Sequence, residues 1–226
     1  MRKIGGRDMD TIKAIRERHS VRQYLDKTIE IEKRNVLEEL ISDINEKANL
    51  HIQIFYDEPR CFDSMMAHYG SFRGVKNYIA LVGKKSALLE EEVGYYGEEI
   101  VLKAQELGLN TCWVALTHGK SMAKIEHGEK QVCLIALGYG KTQGNAHTGK
   151  TIQDVSNYKT GMPEWFKEGV EAALLAPTAL NQQKFYFELQ EDESVKVKAG
   201  KGFYTKLDLG IVKYHFEVAS DWKKES

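Results

Sequence analysis

The sequence predicts a mixed fold of the α/β or α+β class, in which helices are layered on a sheet. Amphipathic helical patterns alternate along the chain with short apolar or alternating runs typical of strands. The 226 residues are 42% hydrophobic and 29% charged, the balance of an ordinary globular protein with a sizeable core. This length suits one large domain or two small intertwined ones.

Five helices are predicted from the spacing of apolar residues and from the signals at the helix ends. They are expected at residues 10–17, 31–47, 88–107, 165–175 and 207–220. The second carries an apolar stripe of Val36, Leu37, Leu40, Ile41 and Ile44. Gly108 ends the third, whose small residues Gly94 and Gly97 suit close packing against another helix.

Six strands are predicted from alternating or continuously apolar runs. They are expected at residues 51–56, 77–83, 112–116, 131–139, 184–190 and 195–199. The polar, glycine-rich residues 140–151 between the fourth strand and the next helix are expected to form a loop.

Composition excludes several classes of partner. The net charge of −1 gives no bulk attraction to nucleic acid or to an anionic membrane. No apolar run is long enough to span a bilayer, and the start of the chain lacks the apolar core of a signal peptide, so a cytoplasmic protein is expected. Neither the three cysteines nor the seven histidines have metal-binding spacing, so no metal is predicted, and Cys112 and Cys133 are expected in the core.

A weak internal repeat relates the two ends of the chain. Residues 36–59 and 166–192 both read as a helix, a short connection and an alternating strand, and residues 93–105 resemble 209–220. Amphipathic helices look alike by chance, but the two pairs occur in the same order. The second copy lacks counterparts of the first copy's opening and closing segments.

Three segments carry groups that could bind a ligand. Arg18-His19-Ser20-Val21-Arg22 offers two guanidinium groups and a hydroxyl for a phosphate, although a solvated basic helix end is the alternative. Residues 138–150 are rich in glycine and contain His147 and Lys150, but they match neither a Walker loop nor a dinucleotide fingerprint. Residues 177–183, PTALNQQ, expose backbone and amide groups that could meet a flat heteroaromatic edge, or form only a loop.

Together these segments resemble the motifs of nitroreductase-like flavoproteins. RHSVR is similar to their R-x-S-x-R opening, ELGLNTCWVAL to a helix-to-strand segment, and LIALGYGKTQGNAHTGKTIQDV to their ending. ALLAPTALNQQKFYFEL resembles their A-P-S-a-x-N-q-Q loop, with Thr178 in the serine position and Phe185 near a tryptophan position. The resemblance covers almost the whole chain and implies an α+β fold with three α/β/α layers.

One feature departs from the ordinary family, in which the A-P-S loop comes soon after R-x-S-x-R. Here it comes after the whole first unit, so the chain resembles a minimal, rearranged branch. Residues 1–160 would form a complete unit and residues 161–226 a truncated second half-unit, giving an intrachain pseudo-dimer. The loop either folds back within its own chain, which we favour because sequential elements usually pack close together, or swaps into a neighbour. A monomer or a loop-swapped homodimer is therefore expected.

The resemblance implies an FMN held in a cleft between two units. Arg18 would pair with the phosphate, and Ser20 and Arg22 would contact the ribityl chain and the pyrimidine edge, with His19 in the same segment. The backbone of Ala115, Leu116 and Thr117 would lie near the reactive edge of the flavin. The remaining expected contacts are Lys150 and, as a second candidate, His147 at the phosphate, and Pro177, Thr178, Ala179 and Asn181 in the closing loop. Residues 70–77 are a candidate pyrimidine-binding region, although its individual residues do not match a motif of the family one by one.

The implied activity is electron transfer from NAD(P)H through FMN to a nitroaromatic, a quinone or a similar small acceptor. The flavin would supply the chemistry, so no side chain is predicted to be catalytic. Two alternatives stay open. One is a relative of the flavin-fragmenting enzymes that make 5,6-dimethylbenzimidazole, the lower ligand of cobalamin. The other is a flavin-binding carrier or sensor without turnover.

Overall fold

The computed structural model describes residues 7–146 and 149–220. The helices of this part of the chain are α1 (Arg7–Glu17), α2 (Ile31–Ala48), α3 (Met65–Tyr69), α4 (Leu89–Glu106), α5 (Ile152–Val155), α6 (Glu164–Leu174) and α7 (Thr205–Ser220). The strands are β1 (Gln53–Phe55), β2 (Asn77–Lys84), β3 (Asn110–Val114), β4 (Glu129–Gly138), β5 (Phe185–Leu189) and β6 (Val195–Ala199). A single 3-10 turn covers Ala179–Asn181.

The described residues divide into two compact units that do not follow chain order. Residues 18–89 and 100–146 form the first, here called the sheet unit. Residues 7–17, 90–99 and 149–220 form the second, the helical unit. Helix α4 contributes residues 90–99 to the helical unit, and Leu89 and residues 100–106 to the sheet unit. The predicted division into residues 1–160 and 161–226 concerns the sequence repeat and stays a prediction.

The sheet unit is built on four strands in the order β1-β2-β4-β3, with every neighbouring pair antiparallel. Strand β2 is buried from Asn77 to Gly83, as expected for a continuously apolar strand inside a sheet. The ring of Tyr78 stacks on Phe55 with centroids 5.0 Å apart, and Phe62 packs edge-on to Phe72. Tyr78, Phe62 and Phe72 belong to one buried hydrophobic cluster, against which Phe55 packs.

Strand β1 is shorter than the predicted strand at residues 51–56. The side chain of Asn45 in α2 takes both backbone groups of Ile52: its Oδ1 accepts the amide N–H at 2.8 Å, and its Nδ2 donates to the carbonyl at 2.9 Å. These groups are therefore unavailable to a strand ladder. Three residues remain to pair with β2.

The helical unit packs α6 against α7 beside the β5-β6 hairpin. Phe187 of β5 stacks on Phe216 of α7 with ring centroids 4.7 Å apart, and Phe166 of α6 meets the same ring edge-on at 6.0 Å. Gly169 lets this ring approach α6, since a Cβ there would lie 2.6 Å from Phe216. The unit is therefore held by an aromatic cluster between helices and hairpin.

All five predicted helices and all six predicted strands are present, with ends displaced by a few residues. Residues 140–146 and 149–151 form no regular element, as expected of the predicted loop. Cys112 and Cys133 are buried, which confirms their place in the core. In the second predicted helix, Leu37, Ile41 and Ile44 are buried, whereas Val36 is exposed. Among the described residues, no helix combines the length and the apolar character needed to cross a bilayer.

Candidate functional site

The segment after α1 runs extended through the sheet unit and is fixed by backbone hydrogen bonds on both sides. The amide of Val21 donates to the carbonyl of Thr111 in β3 at 3.0 Å. The amide of Arg73 donates to the carbonyl of Arg22 at 3.0 Å, and that of Tyr24 donates back to Arg73 at 2.9 Å. Since side chains alternate along extended backbone, the polar residues 18, 20 and 22 share one face and Val21 is turned into the core.

Cys112 of β3 lies among these polar side chains. Burial raises the pKa of its thiol, while the charges of Arg22 and Arg18 and a hydrogen bond with Ser20 act to lower that pKa. The two arginines differ in exposure, because Arg18 is only 3% exposed whereas Arg22 is exposed. Ser20 and both arginine charges are therefore close enough to Cys112, on the edge strand β3, to act on its thiol.

The glycine-rich loop after β4 closes over the same segment. Its Gly140 amide donates to Oδ1 of Asn110 at 2.9 Å, and Nδ2 of Asn110 donates to Oε1 of Gln143 at 2.9 Å. Gly144 has a φ of +76°, and a Cβ there would lie 2.7 Å from the Cβ of His19 and 3.0 Å from the carbonyl oxygen of Ser20. Only glycine satisfies both the conformation and the close approach. His147, predicted in this loop, lies outside the described residues.

Residues 115–117 directly follow β3 and contact residues 70–77, the candidate pyrimidine-binding region. A Cβ on Gly70 would lie 2.5 Å from Cβ of Thr117, so glycine is needed for the contact. Arg73, three residues on, is the backbone partner of Arg22 described above. Leu116 is 69% exposed, while Ala115 and Thr117 are half-buried. Four separate stretches of the sequence therefore border one region of the sheet unit.

The other predicted site residues lie together in the helical unit. Lys150 is exposed, its Nζ donates to the carbonyl of Gln183 at 2.8 Å, and its amide donates to Oε1 of the same residue at 2.7 Å. An ammonium group has three N–H donors, so two remain for other acceptors. Lys150 thus lies beside the loop of Pro177, Thr178, Ala179 and Asn181, all in one unit.

That loop is held by two side chains that sequence reasoning missed as site residues, Asp208 and Gln183. Asp208 in the first turn of α7 is 2% exposed, and it accepts hydrogen bonds from the Ala179 amide at 3.0 Å and from Nε2 of Gln182 at 2.8 Å. Burial raises the pKa of Asp208 to about 6, against the opposing effect of these two hydrogen bonds. Gln183 belongs to the quoted N-q-Q pattern and could have been chosen from it. Nothing local in the sequence marks Asp208.

The sequence matches one family model along nearly its whole length. The model described as "Putative TM nitroreductase" matches residues 10–220. No curated protein sequence matches the chain.

Solved structures of similar fold include proteins described as nitroreductases or nitroreductase-like. A putative nitroreductase from Thermotoga maritima aligns with a TM-score of 0.66 and 23% identity, over 96% of this chain and 88% of that one. A putative nitroreductase from Desulfovibrio desulfuricans, solved in complex with FMN, gives a TM-score of 0.52 and 18% identity, over 68% of this chain and 98% of that one. A nitroreductase-like protein from Streptococcus mutans gives a TM-score of 0.56 and 11% identity, over 68% of this chain and 100% of that one.

At these identities the structures show the fold alone, which is α+β and nitroreductase-like, as predicted. The family rests on the sequence model, which spans all four motifs on which the resemblance was based. The chain therefore belongs to the family described as putative TM nitroreductases.

Proposed function

We propose that this protein binds FMN and uses it to carry electrons from NADH or NADPH to a small acceptor. The observation that carries the proposal is the convergence of Arg18, Ser20 and Arg22 with the glycine-rich loop and residues 115–117. Membership of a nitroreductase family supports it, and one structure of similar fold contains FMN.

The groups present fit the chemistry of FMN. Two guanidinium groups and a hydroxyl supply charge-assisted and neutral donors of the kind that bind a phosphate monoester. Lys150 offers further N–H donors, and the loop at residues 177–181 offers backbone and amide groups. We propose that both sets of residues contribute to FMN binding. Bound FMN would supply hydride and electron transfer, so the chain's own residues need only bind and orient it.

Arg22 is the residue we assign to the pyrimidine side of the flavin. Its guanidinium is exposed, whereas that of Arg18 is buried, so Arg22 is the more accessible of the two to a ligand. A fixed positive charge there would stabilise the negative charge that develops on the ring system during reduction. Arg18 is assigned to the phosphate by its place in the R-x-S-x-R motif.

We propose that the acceptor is flat and largely apolar, such as a nitroaromatic or a quinone. Three side chains of α3, those of Met65, Met66 and Tyr69, are 87%, 50% and 84% exposed. The α3 helix is followed by Gly70, which contacts Thr117, and Leu116 beside it is also exposed. Thioether and aromatic groups next to the proposed reactive edge favour an apolar aromatic molecule over a charged one.

The experiment that tests this function is an anaerobic titration of the FMN-loaded protein. NADH or NADPH should bleach the flavin absorbance before any acceptor is added, and a quinone or nitroaromatic should then restore it, since one flavin serves donor and acceptor in turn. Arg22→Ala should slow the bleaching of the flavin or weaken the binding of FMN. Lys85→Ala is the control and should do neither. Lys85 is an exposed residue that follows the last residue of β2, about 25 Å along the strand from Asn77 at its start.

The alternatives would appear in the same experiment. Absence of any binding signal with micromolar FMN would contradict the proposal as a whole. A flavin that binds but is bleached by neither nicotinamide would favour a carrier or a sensor. Loss of flavin with formation of a benzimidazole would identify a flavin-fragmenting enzyme instead.

A further inference from the structure

The loop of residues 177–183 contains an unusual concentration of left-handed backbone. Leu180 has φ 52° and ψ 24°, Asn181 has φ 52° and Gln183 has φ 44°, and none of them is glycine. This region of conformational space is unfavourable for an L-residue, and for leucine no side-chain hydrogen bond compensates. Leu180 is also 98% exposed, so its apolar side chain lies in water. One residue therefore carries two unfavourable features at once.

Asp208 holds the residues on both sides of the left-handed pair, one through its backbone amide and the other through its side chain. One carboxylate oxygen accepts the Ala179 amide, directly before Leu180, and the other accepts the side-chain amide of Gln182, directly after Asn181. The carboxylate is buried and confronts no positively charged side chain within hydrogen-bonding distance among the described residues. Burying such a group is itself unfavourable. The protein therefore maintains this arrangement against two separate costs.

A second set of bonds closes the rest of the loop. Gln183 is 1% exposed, and its amide donates to Oγ1 of Thr178 at 3.1 Å. Its side chain donates to the carbonyl of Leu174 at 2.9 Å and accepts the Lys150 amide at 2.7 Å. The residues on either side of Leu180 thus make hydrogen bonds within the loop or to Asp208, whereas the side chain of Leu180 is exposed to water. Strain kept by such over-determined surroundings is typical of residues that clamp a ligand.

We propose that Leu180 is the side chain with which this loop covers the ring system of bound FMN, and that Asp208 is the positioning residue that holds Leu180 in its left-handed, outward conformation. This inference rests on the proposed function. A flat apolar ring is the ligand that an isolated, fully exposed leucine at a fixed position fits, because covering it removes apolar surface of both partners from water. The hydrogen-bonding groups of the loop cannot supply this apolar cover.

The first test compares Leu180→Ala with Leu175→Ala, a neighbouring exposed leucine at the end of α6. Leu180→Ala should weaken the binding of FMN, riboflavin and lumiflavin alike. The dissociation constants should rise by roughly 10-fold or more, the range expected for burying one leucine side chain. Bound flavin should also become more accessible to iodide quenching of its fluorescence. Leu175→Ala should leave both readouts at wild-type values, and Leu180→Met should restore most of the affinity.

The second test asks whether Asp208 acts through Leu180. Asp208→Ala should reproduce the loss of affinity for lumiflavin. Asp208→Asn should lose less affinity, because its side-chain amide still has one oxygen to accept the Ala179 amide. The double variant Leu180→Ala with Asp208→Ala should bind no more weakly than either single variant, since residues in one network are not additive. Thermal melts of the flavin-free variants identify any that fail to fold; the Leu180 variants, which alter only an exposed side chain, keep the inference testable in that case.

The outcomes separate the inference from the proposed function. If wild-type protein binds no flavin, both fail. If it binds FMN but Leu180→Ala has unchanged affinity and iodide accessibility, only the inference fails. Additive losses in the double variant would make Asp208 a purely structural residue. A change of sedimentation coefficient in Leu180→Ala would make Leu180 a contact between copies of the chain, and would also overturn the inference.

Discussion

Two guanidinium groups of one short segment lie in different surroundings, although the motif places them only four residues apart. Arg18 is 3% exposed and Arg22 is exposed, and both act on the buried thiol of Cys112. A buried cation is stabilised only by acceptors that it can reach with good geometry, and a phosphate offers several of them. Exposure thus supports assigning the two residues different parts of the same ligand.

Arg18→Ala tests the phosphate assignment. The variant should bind FMN more weakly by about 1.5–3 kcal/mol, the usual range for a hydrogen bond to a charged group. Riboflavin, which lacks the phosphate, should keep its wild-type affinity. Since Arg18 is buried, its loss will also affect folding, so the measured quantity is the ratio of the two dissociation constants from fluorescence titration. Equal losses for both flavins would assign Arg18 to structure.

Some individual site residues could be predicted from the sequence and others could not, for physical reasons. Arg18, Ser20 and Arg22 could be chosen because their residue types and period-2 spacing act locally. Asp208 could not, because its role depends on a contact with Ala179, 29 residues away. Nothing in the first turn of an amphipathic helix distinguishes a buried carboxylate from a solvated one.

Among the elements, α4 and α7 are packed so closely that glycine is required on both. A Cβ on Gly94 would lie 2.1 Å from the carbonyl oxygen of Leu207, and one on Gly210 would lie 1.9 Å from that of Glu91. Four residues after Gly94, Glu98 pairs with Nε2 of His215 at 2.9 Å, and both side chains are fully buried. The packing role predicted for Gly94 is therefore confirmed.

Gly94→Ala should destabilise the protein by about 3 kcal/mol or more, since the added methyl meets backbone atoms that cannot move without displacing α7. In a chain of this length that corresponds to a fall in melting temperature of roughly 6–12 °C. Glu92→Ala on the same helix is the matched control and should change stability by less than about 0.5 kcal/mol. Calorimetry of both variants checks the expectation; a Gly94→Ala protein as stable as wild type would show that the helices separate easily.

Long periodic elements could be read from the sequence, whereas short ones could not. Helices α3 and α5 have five and four residues, too few for the helical period to appear. Their signals are caps: Ser64 accepts the Ala67 amide, and Thr151 forms a capping box with Asp154. The order β1-β2-β4-β3 also escaped prediction, because pairing between distant strands leaves no mark on the apolar pattern of either strand.

In the whole molecule, each compact unit is built from stretches that are not consecutive in the chain. The helical unit takes residues 7–17 and 90–99 from the first part of the chain and combines them with residues 149–220. Helices α6 and α7 are thus not an appended module. Their removal would expose the Gly94 face of α4 and leave Glu98 without His215.

A fragment ending at Tyr158 tests this arrangement together with the proposed complementation. It retains RHSVR, the glycine-rich loop and Lys150, so from sequence alone it should keep most phosphate contacts and bind FMN poorly for want of the closing loop. Because α4 loses its partner helix, we expect the fragment also to lose its cooperative thermal transition, measured by far-ultraviolet circular dichroism. Adding residues 159–226 as a separate chain should restore both the transition and flavin binding.

Stoichiometry then decides how the repeat is used. Only the first part of the chain carries RHSVR and the glycine-rich loop, and only the second carries PTALNQQ. If the two parts complement each other, intact protein and the reconstituted fragments should both saturate at about one FMN per chain in a fluorescence titration. Saturation at two would mean that each half binds flavin by itself. A fragment ending at Tyr158 that melts cooperatively and binds FMN as tightly as intact protein would show that residues 159–226 serve neither the fold nor the site.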